Sequence, residues 1–239
     1  MKNSLILFLM LASFSIQSQN YKNIKGKGQV VNKTITTTAY DGIAVSGSFF
    51  VTLIDGTEGT ITINAEENLV DYIIVEVKEN TLYIRPEKNY GLSASKGKKI
   101  QITVPINTIS SVSLAGSGDV ISNFMMNASS FKISLAGSGD IKVGIEAQNI
   151  DASVSGSGDI ELKGKAMNFT AAVAGSGDIE AFELQADNAK ASIAGSGDIQ
   201  IDCTQSIEAR VSGSGDIQYK GNPTKVDSKV SGSGTIKMN

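Results

Sequence analysis

Through the second half of the chain, apolar residues occupy every other position, in short runs that stop and restart at a pair of glycines. Val112 and Leu114, Ile133 and Leu135, Ala152 and Val154, Ala171 and Val173, Ala191 and Ile193, Ala209 and Val211, and Ser228 and Val230 each lead into Gly-Ser-Gly. Beyond the glycines stand Val120, Ile141, Ile160, Ile179, Ile199, Ile217 and Ile236, and two residues further on Val143, Leu162, Ala181, Ile201, Tyr219 and Met238, with Ser122 as the exception. Polar residues such as Lys132, Ser134, Glu161 and Lys163 lie between them. A period of two marks half-buried strands. Alternating β-branched residues and recurring glycines exclude a helix. Each unit therefore reads as strand, glycine corner, strand, and a looser return such as residues 164–168.

The corner carries a signature. Gly-Ser-Gly-Asp occurs six times, at 116–119, 137–140, 156–159, 175–178, 195–198 and 213–216, and a seventh copy at 232–235 ends in Thr235. Successive first glycines are 21, 19, 19, 20, 18 and 19 residues apart. Such a period means stacked structural units, each unable to bury its apolar face alone. The expected fold is all-β: a parallel β-solenoid with coils of about 19 residues, stacked about 4.8 Å apart into a rod of roughly 30 Å. Propeller blades need about 40 residues each, and sandwiches do not repeat one corner.

Residues 20–107 lack the tetrapeptide but predict strands over 28–38, 43–54, 59–64, 73–77, 81–85 and 100–104. Val45-Ser46-Gly47-Ser48-Phe49 resembles Val154-Ser155-Gly156-Ser157-Gly158 and predicts an early, degenerate coil. Residues 65–72 read as a short helix with acidic residues near its start, and the lysine-rich stretch 90–99 as an exposed loop. This part is expected to continue or cap the solenoid, because an open strand edge invites aggregation.

Composition narrows the chemistry. With 21 Lys+Arg against 24 Asp+Glu, no field attracts nucleic acid. The chain has no histidine, which removes the commonest general base and the usual zinc ligand. Its single cysteine, Cys203, is in phase with Ile199 and Ile201 and is expected to point inward. Lys2, the apolar run 5–12 and the small, polar residues 13–18 read as an export signal cleaved after Ser18. The expected organisation is a signal peptide over 1–18 and one domain over 19–239, divergent over 20–107 and repeated over 108–239. The product is expected to be exported through the inner membrane to the periplasm, cell surface or medium, with no membrane insertion after cleavage.

Two columns are candidate sites. Asp119, Asp140, Asp159, Asp178, Asp198 and Asp216 stand where calcium-binding solenoids place carboxylates, and would form a cation ladder if oxygens converged from neighbouring coils. Those solenoids supply two facing turns per coil and this chain one, so the competing reading is a carboxylate that accepts corner N–H groups. Neither a cofactor nor catalytic residues are expected. Ala115, Ala136, Ser155, Ala174, Ala194, Ser212 and Ser231 form a small outward strip. A tight corner demands small neighbours, and such a strip also suits a contact surface for another protomer, a glycan or a protein. A polysaccharide-active enzyme would need long loops around a cleft, and the returns here are a few residues long.

The Val-Ser-Gly-Ser-Phe start followed by Ser-Gly-Ser-Gly-Asp coils resembles the family of the putative auto-transporter adhesin, head GIN domain (DUF2807), frequent in Bacteroidetes. The matching parts run from residues 40–47 through Asn68-Leu69, Leu82-Tyr83-Ile84 and 100–105 into the repeats. The resemblance implies a right-handed parallel β-helix, an adhesin-like role as an envelope-associated binding protein, and no catalytic residues. A structural or oligomerising envelope component is the alternative. The chain departs from an autotransporter in having no length for a translocator barrel.

Overall fold

The computed structural model describes residues 21–239. The expected signal peptide over 1–18 lies outside them. Nine strands precede the repeats: β1 (Lys22–Lys25), β2 (Val30–Thr36), β3 (Gly42–Ser46), β4 (Phe50–Asp55), β5 (Thr60–Glu66), β6 (Ile73–Lys78), β7 (Thr81–Pro86), β8 (Tyr90–Ser93) and β9 (Gln101–Ile106). The repeats form β10 (Ser111–Gly116), β11 (Asp119–Gly137), β12 (Asp140–Gly156), β13 (Ile160–Gly175), β14 (Ile179–Gly195), β15 (Ile199–Gly213), β16 (Ile217–Lys220), β17 (Lys225–Gly232) and β18 (Ile236–Met238). From β10 to β18 every pairing is parallel, coil upon coil, which makes the repeat region a β-solenoid.

The alternating residues become interior ladders. Ile141, Ile160, Ile179, Ile199 and Ile217 stack in register and are fully buried. A second column runs Phe131, Ile150, Phe169, Ala189 and Ile207, where large and small side chains follow one another and fill the interior without a void-sized mismatch. Burial loses its alternation at two further places in each coil. In β12, Val143, Gly144 and Ile145 are buried in succession, and Gln148 and Asn149 are exposed in succession. Each phase break is a bend, so a coil has three sides.

The return is therefore not loose, as the sequence predicted. Gly164, Lys165, Ala166 and Asn168 pair with Ile145, Glu146, Ala147 and Asn149 as a third ladder side. Its alternation is too short to register as a strand by itself. Irregular coil lengths are absorbed beside this bend. Register shifts between Ile121 and Met125, between Glu161 and Lys163, and between Ala181 and Gln185 take up the extra residues, so the glycine corners stay aligned. Ser122 belongs to the first of these bulges: its hydroxyl donates to the Phe124 carbonyl at 2.7 Å, which accounts for a polar residue at an inward position.

The amino-terminal part continues the stack and then departs from it. β3, the corner at Gly47 and β4 form a coil lying between β10 and β11 on one side and β7 and β9 on the other. The degenerate corner read from Val45–Phe49 is thus a real one: Gly118 N–H donates to Gly47 O at 3.1 Å and Asp119 N–H to Phe49 O at 2.8 Å. Beyond it, pairing turns antiparallel, β6 on β7 and β5 on both β9 and β2. Antiparallel strands interrupt the coil repeat, and among the described residues β6 and β2 are the outermost strands of that end.

Two local expectations are corrected here. Ala65 and Glu66 end β5, and only Val70–Tyr72 form a single 3-10 turn in place of the predicted helix. Residues 90–93 are strand β8, parallel to β1, while 94–99 lie outside any strand with 96–99 exposed, as expected of a loop. The end of β5 is tied to that loop by the buried Glu66 carboxylate, which accepts the Ser95 N–H at 2.8 Å and lies 3.4 Å from Lys98 Nζ. Gly26 faces the same carboxylate so closely that a Cβ there would overlap it.

Candidate functional site: the corner ladder and the flat face

The corner geometry follows from stacking. Gly137 has φ +128°, and a Cβ on it would lie 2.3 Å from the Gly116 carbonyl oxygen of the preceding coil. A Cβ on Gly139 would lie 2.0 Å from Gly118 O. Both glycines are thus excluded from substitution by the backbone beneath them. Phe49 occupies the second-glycine place in the earliest corner, where the chain below opens into residues 87–100, and its ring is buried near Pro86.

At the corner the regular backbone ladder is interrupted, and the aspartates supply the missing acceptor. Asp178 N–H donates to Asp159 Oδ1 at 2.9 Å, Asp198 N–H to Asp178 Oδ1 at 2.7 Å, and Asp216 N–H to Asp198 Oδ1 at 2.8 Å. Asp159 N–H reaches Asp140 Oδ1 at 3.3 Å, and Thr235 N–H reaches Asp216 Oδ1 at 2.7 Å. Each carboxylate from Asp140 to Asp216 caps the amide of the next coil, not of its own turn. Asp119 and Asp140 receive no such cap; their amides donate to the carbonyls of Phe49 and Gly118. Among the described residues no amide stacks on Thr235, so the loss of the carboxylate there leaves no donor unpaired. The same residues hold the coil in both directions, since Asp159 O accepts the Ile141 N–H at 2.9 Å and this pattern recurs to Thr235.

The strip beside the corner is exposed at all seven positions: Ala115, Ala136, Ser155, Ala174, Ala194, Ser212 and Ser231. The corner serines next to it, from Ser117 to Ser233, are exposed as well. Parallel registration puts these residues in straight columns along the rod, giving a flat face of methyl and hydroxyl groups.

A third column was not singled out from the sequence. Asn149, Asn168 and Asn188 stack at the last bend, with Asn168 Nδ2 donating to Asn149 Oδ1 at 3.0 Å and Asn188 Nδ2 to Asn168 Oδ1 at 3.4 Å. Ser206 Oγ donates to Asn188 Oδ1 at 2.7 Å and extends the chain of bonds. A shallow open groove runs beside it, lined among others by Lys190, Glu208 and Asp227. The signal available in the sequence was an Asn at a constant offset in three consecutive units.

Cys203 is fully buried, and burial together with the neighbouring Asp202 raises its thiol to about 11. It is therefore a packed hydrophobe and not a thiolate at neutral pH. Tyr40 is buried with its hydroxyl donating to Pro105 O at 2.5 Å, and burial keeps it protonated far above neutrality. Among the described residues no three His, Cys, Asp or Glu side chains are grouped to hold a metal ion, and no helix is long and apolar enough to cross a membrane.

Known proteins share this architecture. A putative adhesin from Bacteroides fragilis is 30% identical with a TM-score of 0.82, the match covering 90% of this chain and all of that one. A putative lipid binding protein from Parabacteroides distasonis is 29% identical with a TM-score of 0.77, over 91% of this chain and all of that one. A putative adhesin from Parabacteroides merdae, 23% identical over 91% of this chain and 99% of its own, has a TM-score of 0.69 and shares the fold. None of the curated proteins matches. The model of the family described as putative auto-transporter adhesin, head GIN domain, matches residues 39–223. The chain belongs to that family.

Proposed function

We propose that the chain is an exported, non-catalytic binding protein that attaches to a surface component through the flat face formed by the Ala/Ser strip and the corner serines. The observation that carries this reading is the exposure of the strip at all seven Gly-Ser-Gly corners, in a member of a family described as a putative adhesin. A face of small side chains on a rigid ladder loses little side-chain entropy on contact and admits close approach of a sugar ring or another sheet. The interior offers no comparable site, because Phe49, Phe131, Phe169 and the aliphatic ladders fill it. A lipid of the kind named for the Parabacteroides relative would therefore lie against the outside of the rod.

The test is a glycan array and a panel of extracellular-matrix proteins, run beside vesicles of anionic phospholipid. Binding to a glycan or matrix protein that Ala174→Lys reduces at least tenfold, with an unchanged melting temperature and no effect of Glu146→Gln elsewhere on the rod, is the expected result. Binding that ignores Ala174→Lys, or that occurs to vesicles alone, overturns it.

A further inference from the structure

The two ends of the rod differ. At the amino-terminal part antiparallel pairing ends the coil repeat, with β6 and β2 as the outermost strands, whereas among the described residues nothing stacks on the coil made by β17 and β18. All eight residues of β17 are exposed, and its core-directed side chains are open too, Val226 at 48% and Val230 at 40%. In earlier coils the same positions are the buried Ile207 and Val211. Backbone groups are left over as well. Ser233 N–H donates to Gly213 O in the coil below, as Lys132 and Ser138 do to theirs, so the odd-numbered residues of β17 turn toward β15. The N–H and C=O groups of Val226, Ser228 and Val230 then face along the rod axis, away from the molecule.

We infer that this edge is a dimer interface, on which a second copy of the chain seats its own β17 in antiparallel register about Ser228. The antiparallel amino-terminal end offers no matching coil, so stacking of one copy's tail on another's head is disfavoured and a two-fold, self-matching contact closes. A two-fold axis through Ser228 and normal to the sheet keeps inward side chains inward. It also sets Ser228 opposite Ser228, and Val226 opposite Val230 of the second copy. These are the residues whose backbone groups are free, so they can exchange N–H···O bonds as hydrogen-bonded pairs. Outward, the register sets Asp227 against Lys229 of the second copy, twice. Centring on Asp227 or Lys229 would instead bring like charges face to face, and a shift by one residue would turn the valines outward. Centring on Val226 would also pair Asp227 with Lys225 of the second copy, but it leaves Val230 and Lys229 without a strand partner, so the register about Ser228 pairs more of β17. Asp227 already holds Arg210 at 2.5 Å, which keeps its carboxylate on the outer face of the strand.

Lysines on an edge also serve to keep strands apart, and the experiment separates the two roles. The full chain is expressed, the exported product purified, and its mass followed by sedimentation equilibrium up to roughly 100 µM. Twice the monomer mass is expected. Ser228→Pro removes only an N–H that points away from the rod, a place where an edge strand tolerates proline, and should weaken association roughly a hundredfold. If that variant misfolds, charge exchange decides: Lys229→Asp and Asp227→Lys should each be monomeric alone and form a mixed dimer when combined. A monomer at every concentration, or a dimer indifferent to these substitutions, overturns the inference.

Discussion

An aspartate beside a glycine turn is legible as either a metal ligand or a cap, and in this chain the difference lies in one oxygen. Asp178 Oδ1 sits 2.7 Å from the Asp198 N–H, across the coil boundary. An Asx turn would have stayed within one corner. Instead, each side chain replaces a ladder acceptor that the glycine corner cannot supply to the next coil. Asp178→Ala should therefore leave a partly buried amide unpaired and lower stability by about 1–2 kcal/mol, measured by urea unfolding. Asp178→Asn keeps an oxygen at the same place and relieves repulsion between carboxylates about 5 Å apart, about 0.8 kcal/mol in water. It should lose less than half as much as the alanine variant. The choice between ligand and cap was not available from the sequence, because the partner amide lies 20 residues away and only the stacking register brings it close.

At the scale of elements, alternation told most where it ran longest. The inward columns ending in Leu114 to Val230 and starting at Val120 to Ile236 were read correctly, since β-branched residues spaced by two around a glycine corner permit little else. The third side escaped notice because its alternation spans three or four residues between two phase breaks. The loop expected over 90–99 holds for 94–99 and gives way to strand over 90–93, which pair with β1, and the helix expected over 65–72 failed on a tertiary contact that no local pattern encodes. Glu66, read as a helix-start acid, is a buried carboxylate joining β5 to residues 95–98. The N–H of Ser95 chiefly, aided by Lys98, holds this carboxyl below the usual carboxylate range. Because the folded state favours the ionised form, the contribution of Glu66 is complete above the ordinary carboxylate range and is lost as pH falls through its depressed value. Thermal melts should thus show the native protein losing stability from about pH 5 downward, and Glu66→Gln should be less stable at pH 7 yet show a shallower acid decline.

For the whole molecule, the repeat specifies a rod of parallel coils that ends in antiparallel strands at its amino-terminal part. Core ladders, corner glycines and aspartate caps are all spent on stacking, which leaves the flat Ala/Ser face, the asparagine groove and the open coil end as surfaces for contact. Family membership and fold agree with an adhesin-like role. The ligand chemistry could not be read from the sequence, because small exposed residues satisfy the corner's steric demand and a contact surface equally well.

The Gly-Ser-Gly-Asp series builds the rod through stacking and amide caps, and we propose that it does so without binding cations. The most direct test is the melting temperature of the protein stripped with chelator and then brought to millimolar calcium. A ligand that saturated the native state at a hundredfold its dissociation constant would add about 2.7 kcal/mol per site. The cap account predicts a change within about 1 °C, whereas a rise of several degrees, reversed by chelator and absent in Asp178→Asn, would contradict it.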